Sequence, residues 1–171
     1  MMIQEPTSSS AQRTARLLTL AGAIPFVVLA GMLFIGDSYD VSRGQPYDKS
    51  QTALALQLLT TYAAVILSFL GGIQWGIGIG FSESAPRSAT TLFYLSVVPS
   101  LLAWAMLFVS HPTSRIFVTI FLFGFVWAID TLLNLQKLIP FWFYKLRSVI
   151  TAMVIITLLI AVVKIQALPG V

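Results

Sequence analysis

The sequence contains no cysteine and a single histidine, His111, among its 171 residues. The absence of cysteine excludes disulfides, thiolate metal ligands and thiol nucleophiles. A lone histidine in a turn excludes bis-histidine haem and multi-histidine metal sites, and it leaves no buried base for a membrane serine protease. Asp130 is the only acidic residue near the interior of an apolar segment, which excludes an aspartyl dyad. No phosphate-binding loop or dinucleotide fingerprint is present. We therefore expect no catalytic residues, no cofactor and no metal ion.

Charge is also scarce, at 9% of residues, whereas 57% are hydrophobic and the mean hydropathy is +0.89. A soluble domain carries roughly a quarter charged residues, so most of this surface must face lipid. The net charge of +4 comes from basic residues that stand singly beside apolar runs, which is typical of membrane-flanking charges. The composition predicts an all-α membrane protein in contact with the lipid bilayer and not with nucleic acid.

Five apolar segments are long enough to cross the membrane as helices. They comprise residues 17–35, 53–80, 89–109, 116–136 and 147–165. A polar stretch precedes the first of them, and a polar loop (Gly36 to Gln51) separates the first two. We predict that residues 1–16 form a disordered tail and that residues 17–171 form a single domain, a five-helix transmembrane bundle.

The positions of the basic residues predict the orientation of the chain. With five spans the two ends lie on opposite sides of the membrane, and six of the ten lysines and arginines fall on the N-terminal side (Arg13, Arg16, Arg87, Lys137, Lys145 and Arg147). The other side has four (Arg43, Lys49, Arg115 and Lys164). The positive-inside rule therefore favours a cytoplasmic N-terminus.

The second span carries small residues at every fourth position. We call this set the small-residue ridge; it consists of Ala64, Ser68, Gly72, Gly76 and Gly80. Residues at this spacing line one face of a helix, and small residues let helices approach closely in lipid. A second small pair, Gly71 and Gly78, lies on another face, so we expect this helix at the centre of the bundle. The ridge is interpreted chiefly as a packing face within the chain, and alternatively as a surface for self-association or for another membrane protein.

Four polar residues near the N-terminal side form a candidate polar cluster: Gln74, Asp130, Asn134 and Arg147. An ionisable group inside a span is costly and is a functional candidate by default. Arg147, at the start of the next helix, is the expected counter-charge for Asp130. The pair is interpreted first as a structural tie between the fourth and fifth helices, and alternatively as part of a functional site.

Several stretches of the chain together resemble a known family. They are "YAAVILSFLGGIQWG", "VVPSLLAW", Asp130 and "PFWFYKLRSVIT", of which "SFLGGIQWG" is the most specific. They are similar to the transmembrane protein 69 family, also called the domain of unknown function 3429. The resemblance implies a multi-pass protein of the bacterial inner membrane, or of the mitochondrial inner membrane if the source is eukaryotic. It implies no particular activity.

The sequence leaves two functional hypotheses. The first is a non-enzymatic structural, accessory or assembly factor for a membrane complex, since the chain has a small-residue packing surface and no catalytic set. The second is a small transporter or channel with a polar cavity in the cytoplasmic half. A transporter usually has an internal repeat, and none is evident here.

Overall fold

A computed structural model of the chain describes residues 8–43 and 49–167, and these fold into five α-helices. The helices are α1 (Ser8–Arg43), α2 (Lys49–Phe81), α3 (Pro86–Met106), α4 (Pro112–Leu135) and α5 (Phe141–Gln166). Each contains a stretch that is long and apolar enough to cross a membrane. The predicted all-α, five-helix membrane architecture is confirmed.

Helix α1 is longer than the sequence predicted at both ends. It begins at Ser8, so the prediction of a disordered tail is wrong for residues 8–16, and residues 1–7 lie outside the described part. This segment contains no glycine or proline, and nothing in it stops the helix from extending beyond the membrane. At its other end α1 continues to Arg43, through part of the predicted polar loop.

Proline marks the start of the last three helices. Pro86 and Pro112 occupy the first turns of α3 and α4, and Pro140 is the N-cap residue of α5. Proline suits these positions because the first N–H groups of a helix have no partner within the helix. As a result α5 begins at Phe141, and the six residues before Arg147, which lie outside the predicted fifth span, are also helical.

The five helices form a closed ring. Each contacts the next along the chain, and α1 also packs against α5. Helices α2 and α4 touch across the ring, so that α1, α2, α4 and α5 surround one part of the interior and α2, α3 and α4 surround the other. The expected central position of α2 is thus present, but α4 shares it, since each of the two has three neighbouring helices.

The core lies inside this ring, and large apolar side chains also cover its outside. Phe26 of α1 is almost fully buried, and its ring packs edge-on against those of Tyr62 and Phe123. By contrast Tyr94 and Leu135 are more than two-thirds exposed. Exposure of such side chains is expected for a surface solvated by lipid.

Helices α2 and α3 pack closely at two glycines of α2. A β-carbon placed at Gly71 would collide with the carbonyl oxygen of Ser96, and one at Gly78 would lie 2.9 Å from the Phe93 ring. Gly71 requires glycine because the backbone of α3 occupies the space of a side chain, whereas a side chain at position 78 would displace the Phe93 ring. The α2–α3 interface therefore depends on the second small pair of α2.

Candidate functional site

Asp130 and Arg147 form a buried ion pair between α4 and α5. The Nε atom of Arg147 donates to Oδ2 of Asp130 at 2.8 Å, and Nη2 donates to the same oxygen at 2.7 Å. Asp130 is 3% exposed and Arg147 is 7% exposed. The pairing expected from the sequence is present, and it joins the end of one span to the beginning of the next.

Two further side-chain contacts flank this pair. Trp127 donates its indole N–H to the Ser148 hydroxyl at 3.0 Å, and the hydroxyls of Thr131 and Tyr144 lie 3.4 Å apart. We call the whole set the α4–α5 polar seam; its members are Trp127, Asp130, Thr131, Tyr144, Arg147 and Ser148. Each helix contributes residues at the same spacing, which places them along one face.

The flanking members of the seam were missed by sequence reasoning. Trp127 and Thr131 stand three residues before and one residue after Asp130, and Tyr144 and Ser148 stand in the same positions around Arg147. Trp127 is three residues from Asp130 and four from Thr131, and Tyr144 has the same spacing to Arg147 and Ser148, so each set lies on one side of its helix. Searching for polar partners at matching offsets on the two helices would have found them.

Gln74 does not join the ion pair. It is fully buried, and neither Nε2 nor Oε1 has a hydrogen-bond partner. Gln74 shares a face of α2 with Gly71 and Gly78, the glycines that contact α3, so it lies on a different helix interface from the α4–α5 polar seam. Its unpaired amide is a destabilising feature, because a buried polar group without a partner retains its cost of desolvation.

Asn134 also stays apart from the pair. It is half-buried near the end of α4, and its side chain makes no hydrogen bond within the described residues. The prediction of a four-residue cluster is therefore wrong: the structure joins only two of the four, Asp130 and Arg147.

Four of the five residues of the small-residue ridge do not pack within the chain. Only Ala64 is buried, and Ser68, Gly72, Gly76 and Gly80 are exposed. A β-carbon at any of these three glycines would meet no atom within 4 Å. The interpretation of the ridge as an internal packing face is wrong, because α3 contacts α2 through Gly71 and Gly78, on a face turned away from the ridge.

A hydrogen bond from α2 reaches α1 close to the proline inside that helix. Pro25 lies inside α1 and deprives the carbonyl four residues earlier of its helical donor. Tyr62 donates its hydroxyl to the adjacent carbonyl, that of Gly22, at 2.9 Å. A neighbouring helix thus donates a hydrogen bond to α1 one residue away from the carbonyl that Pro25 leaves without a donor.

A cavity of about 170 Å³ lies within the four-helix part of the ring, next to Arg147. Most of its wall is apolar; the polar side chains in the wall are those of Thr19, Arg147 and Thr151. The wall includes the exposed side chains of Leu18 and Phe69 as well as the buried Phe26 and Val154. It therefore extends from the lipid-facing surface into the bundle.

No three histidine, cysteine, aspartate or glutamate side chains lie close enough to hold a metal ion among residues 8–43 and 49–167. Among the described residues, the buried charged side chains are those of the ion pair, Asp130 and Arg147.

Comparison with known proteins identifies the family. A family model described as "Protein of unknown function (DUF3429)" matches residues 11–163, which is most of the chain. The chain belongs to this family. The resemblance inferred from the sequence motifs is thereby confirmed.

Two curated relatives extend the comparison. Transmembrane protein 69 of Xenopus tropicalis is 32% identical over 160 residues, covering 93% of this chain and 57% of that protein. Transmembrane protein 69 of Mus musculus is 30% identical over 151 residues, covering 88% of this chain and 56% of that protein. The chain thus spans a little over half the length of these relatives. No solved structure matches the chain.

Proposed function

We propose that this DUF3429 family member is a non-enzymatic accessory or assembly factor that holds another membrane protein against α2. The observation that carries the proposal is the exposure of the small-residue ridge. Ser68, Gly72, Gly76 and Gly80 form an outward-facing strip without large side chains. Such a strip lets the backbone of a partner helix come close, which is how helices associate in lipid.

The ridge differs from the rest of the lipid-facing surface. Outward positions elsewhere are filled by bulky side chains such as Phe121, Leu101 and Val163, which suit contact with flexible acyl chains. The glycines of the ridge leave a shallow groove that a rigid helix fills better than lipid does. We therefore assign the ridge to a transmembrane helix of a different protein.

The transporter alternative has less support. A transport path requires a water-filled, polar cavity near the middle of the membrane, but the cavity beside Arg147 has a mainly apolar wall. The charges of Asp130 and Arg147 are also already paired with each other. We further propose that the protein resides in the bacterial inner membrane, or in the mitochondrial inner membrane if the source is eukaryotic.

Site-directed crosslinking tests the proposed interface. Because the chain has no cysteine, Gly76→Cys provides a single attachment point for a benzophenone crosslinker in native membranes. Leu101→Cys, on the exposed face of α3, is the matched control. We expect one discrete crosslinked protein from position 76 and none from position 101.

A second variant shows whether the crosslink reports a specific interface. In a Gly76→Cys background, Gly72→Leu should reduce the crosslink several-fold without lowering thermal stability, since position 72 has open space in the free protein. Lipid adducts alone at position 76 would contradict the proposal. A crosslinked homodimer would replace the proposed partner by a second copy of the chain.

A further inference from the structure

The cavity beside Arg147 has a polar end and an apolar end. On α5 its wall runs from Phe143 and Arg147 to Val154, and on α1 it runs from Leu18 to Phe26. The N-terminal ends of α1 and α5 lie on the same side of the bundle, so Arg147 and Leu18 mark the end nearer to the membrane surface. Val154 and Phe26 mark the end nearer to the middle of the membrane.

Arg147 has hydrogen-bonding capacity that the protein does not use. A guanidinium carries five N–H donors, and only Nε and Nη2 donate to Asp130. Nη1 has no acceptor within the described residues. Within residues 8–43 and 49–167, the fully enclosed side-chain nitrogen and oxygen atoms without a hydrogen-bond partner are Nε2 and Oε1 of Gln74. Nη1 of Arg147 is not among them, so it retains access to open space. The space that the Arg147 side chain lines is the cavity.

The charge balance favours an uncharged acceptor for Nη1. Asp130 already neutralises the guanidinium, and an additional anion would leave this buried group with a net negative charge at a high cost of desolvation. A neutral carbonyl oxygen accepts the hydrogen bond without that cost. The ligand should therefore combine a carbonyl group with a hydrocarbon chain.

The depth of Arg147 matches that of the ester groups of lipids. Helix α5 has 26 residues, which corresponds to a length of about 39 Å. This exceeds the hydrocarbon core of ~30 Å, so a centred α5 extends ~4–5 Å beyond the core on each side. Arg147, six residues after Phe141, then lies roughly 5 Å inside the hydrocarbon boundary, within reach of ester carbonyls at the boundary.

The size and wall of the cavity fit part of one acyl chain. An apolar cavity of about 150 Å³ stays free of water and accepts a molecule of the size of benzene, and this cavity measures about 170 Å³. We propose that it binds one ester-linked acyl chain of a membrane glycerophospholipid, with the ester carbonyl accepting a hydrogen bond from Nη1 of Arg147. The chain enters between Leu18 and Phe69 and reaches Phe26 and Val154.

Photocrosslinking from the lipid tests this site. The full chain is reconstituted in phosphatidylcholine vesicles that contain a small fraction of phosphatidylcholine with a diazirine in one ester-linked acyl chain. Phe26 and Val154 are 1% and 2% exposed, so lipid outside the bundle does not reach them. We expect adducts on these two residues, and their absence would overturn the proposal.

A cavity-filling variant and its control show whether the adducts depend on the cavity. Gly22 lines the cavity, and neither Gly22 nor Gly31 of the same helix has an atom within 4 Å of an added β-carbon. Gly22→Leu should lower the Phe26 and Val154 adducts by about tenfold by filling the space, while Gly31→Leu should leave them unchanged. If Gly22→Leu does not fold, Ile66→Phe narrows the opposite wall. Adducts that persist in a folded cavity-filling variant would overturn the proposal.

A change of matrix lipid tests the carbonyl contact. In vesicles of ether-linked phosphatidylcholine, which has no ester carbonyl, the ester-linked probe competes better for Arg147. The adducts at Phe26, relative to those on the lipid-facing side of Leu101, should rise about threefold, as expected for one hydrogen bond. An unchanged ratio would refute the role of the carbonyl. Displacement of the probe by oleate at low mole fraction would instead identify a free fatty acid as the ligand and overturn the assignment to a phospholipid.

Discussion

Both hydrogen bonds from Arg147 to Asp130 end on one carboxylate oxygen, Oδ2, at 2.8 and 2.7 Å. This geometry ties α5 to α4 and leaves Nη1 of Arg147 without an acceptor among the described residues. One ion pair thereby contributes both to the fold and to the proposed lipid site.

Breaking the pair from one side should destabilise the bundle. Asp130→Ala or Arg147→Ala leaves a buried charge without its partner, which costs about 3 kcal/mol. The double variant should recover part of this loss, because no uncompensated charge remains. The measurement is the free energy of unfolding in detergent for all four proteins. Additive losses would show that the two residues do not interact.

Gln74→Met should leave stability unchanged or raise it by about 1–2 kcal/mol. The substitution keeps the approximate shape of the side chain and removes two buried polar atoms that have no partner, together with their cost of desolvation. Thermal unfolding in detergent measures the effect. A clear loss of stability would mean that the amide of Gln74 has an acceptor or donor in the membrane-embedded protein.

Substitution by alanine should have different effects on stability at the Gly71/Gly78 pair and on the small-residue ridge. Gly71→Ala forces α2 away from the Ser96 carbonyl and should cost about 1–3 kcal/mol. Gly76→Ala adds a methyl group to an exposed position and should change the free energy of unfolding by less than ~0.5 kcal/mol. Equal losses at the two positions would show that the small-residue ridge packs inside the bundle.

Tyr62→Phe should cost about 1 kcal/mol, the net value of a single hydrogen bond. The substitution removes the donor to the Gly22 carbonyl but keeps the ring that packs against Phe26. Tyr94→Phe is the control, since Tyr94 is 75% exposed and should show no change. A Tyr62→Phe protein as stable as wild type would mean that this hydrogen bond makes no net contribution to stability.

The orientation of the chain can be measured by cysteine labelling. Ser84 and Ser110 are exposed in turns at opposite ends of α3. If the N-terminus is cytoplasmic, as the basic residues predict, Ser110→Cys in spheroplasts should react with a membrane-impermeant maleimide, and Ser84→Cys should react only after lysis. The reverse pattern would invert the predicted topology.

The sequence was sufficient to predict the number of helices and the partner of Asp130. Length and hydropathy define the spans, and a buried aspartate beside a lone arginine on the next helix has few alternatives. The direction of the small-residue ridge was not predictable in the same way. In lipid the outer face of a helix is as apolar as the inner face, so the spacing of Gly72 and Gly76 shows that they share a face but not what that face contacts.

The same limit explains the error on the polar cluster. Gln74 and Asp130 both lie in the half of the membrane that faces the N-terminus of the protein. This shared depth suggested that they meet. Their interfaces differ, because Gln74 shares its face with Gly71 and Gly78, which contact α3. Rotation about the helix axis decides such contacts, and hydropathy carries little information about rotation.

The closure of the ring between α1 and α5 has a consequence for the biogenesis of the protein. The α1 helix touches α2 and α5, so half of its neighbours are missing until the ribosome has synthesised α5. Asp130 likewise has no counter-charge while α4 is in the membrane alone. Insertion of α4 and α5 together as a helical hairpin brings Arg147 to Asp130 and closes the ring in one step. Completion of the bundle in the membrane therefore depends on α5.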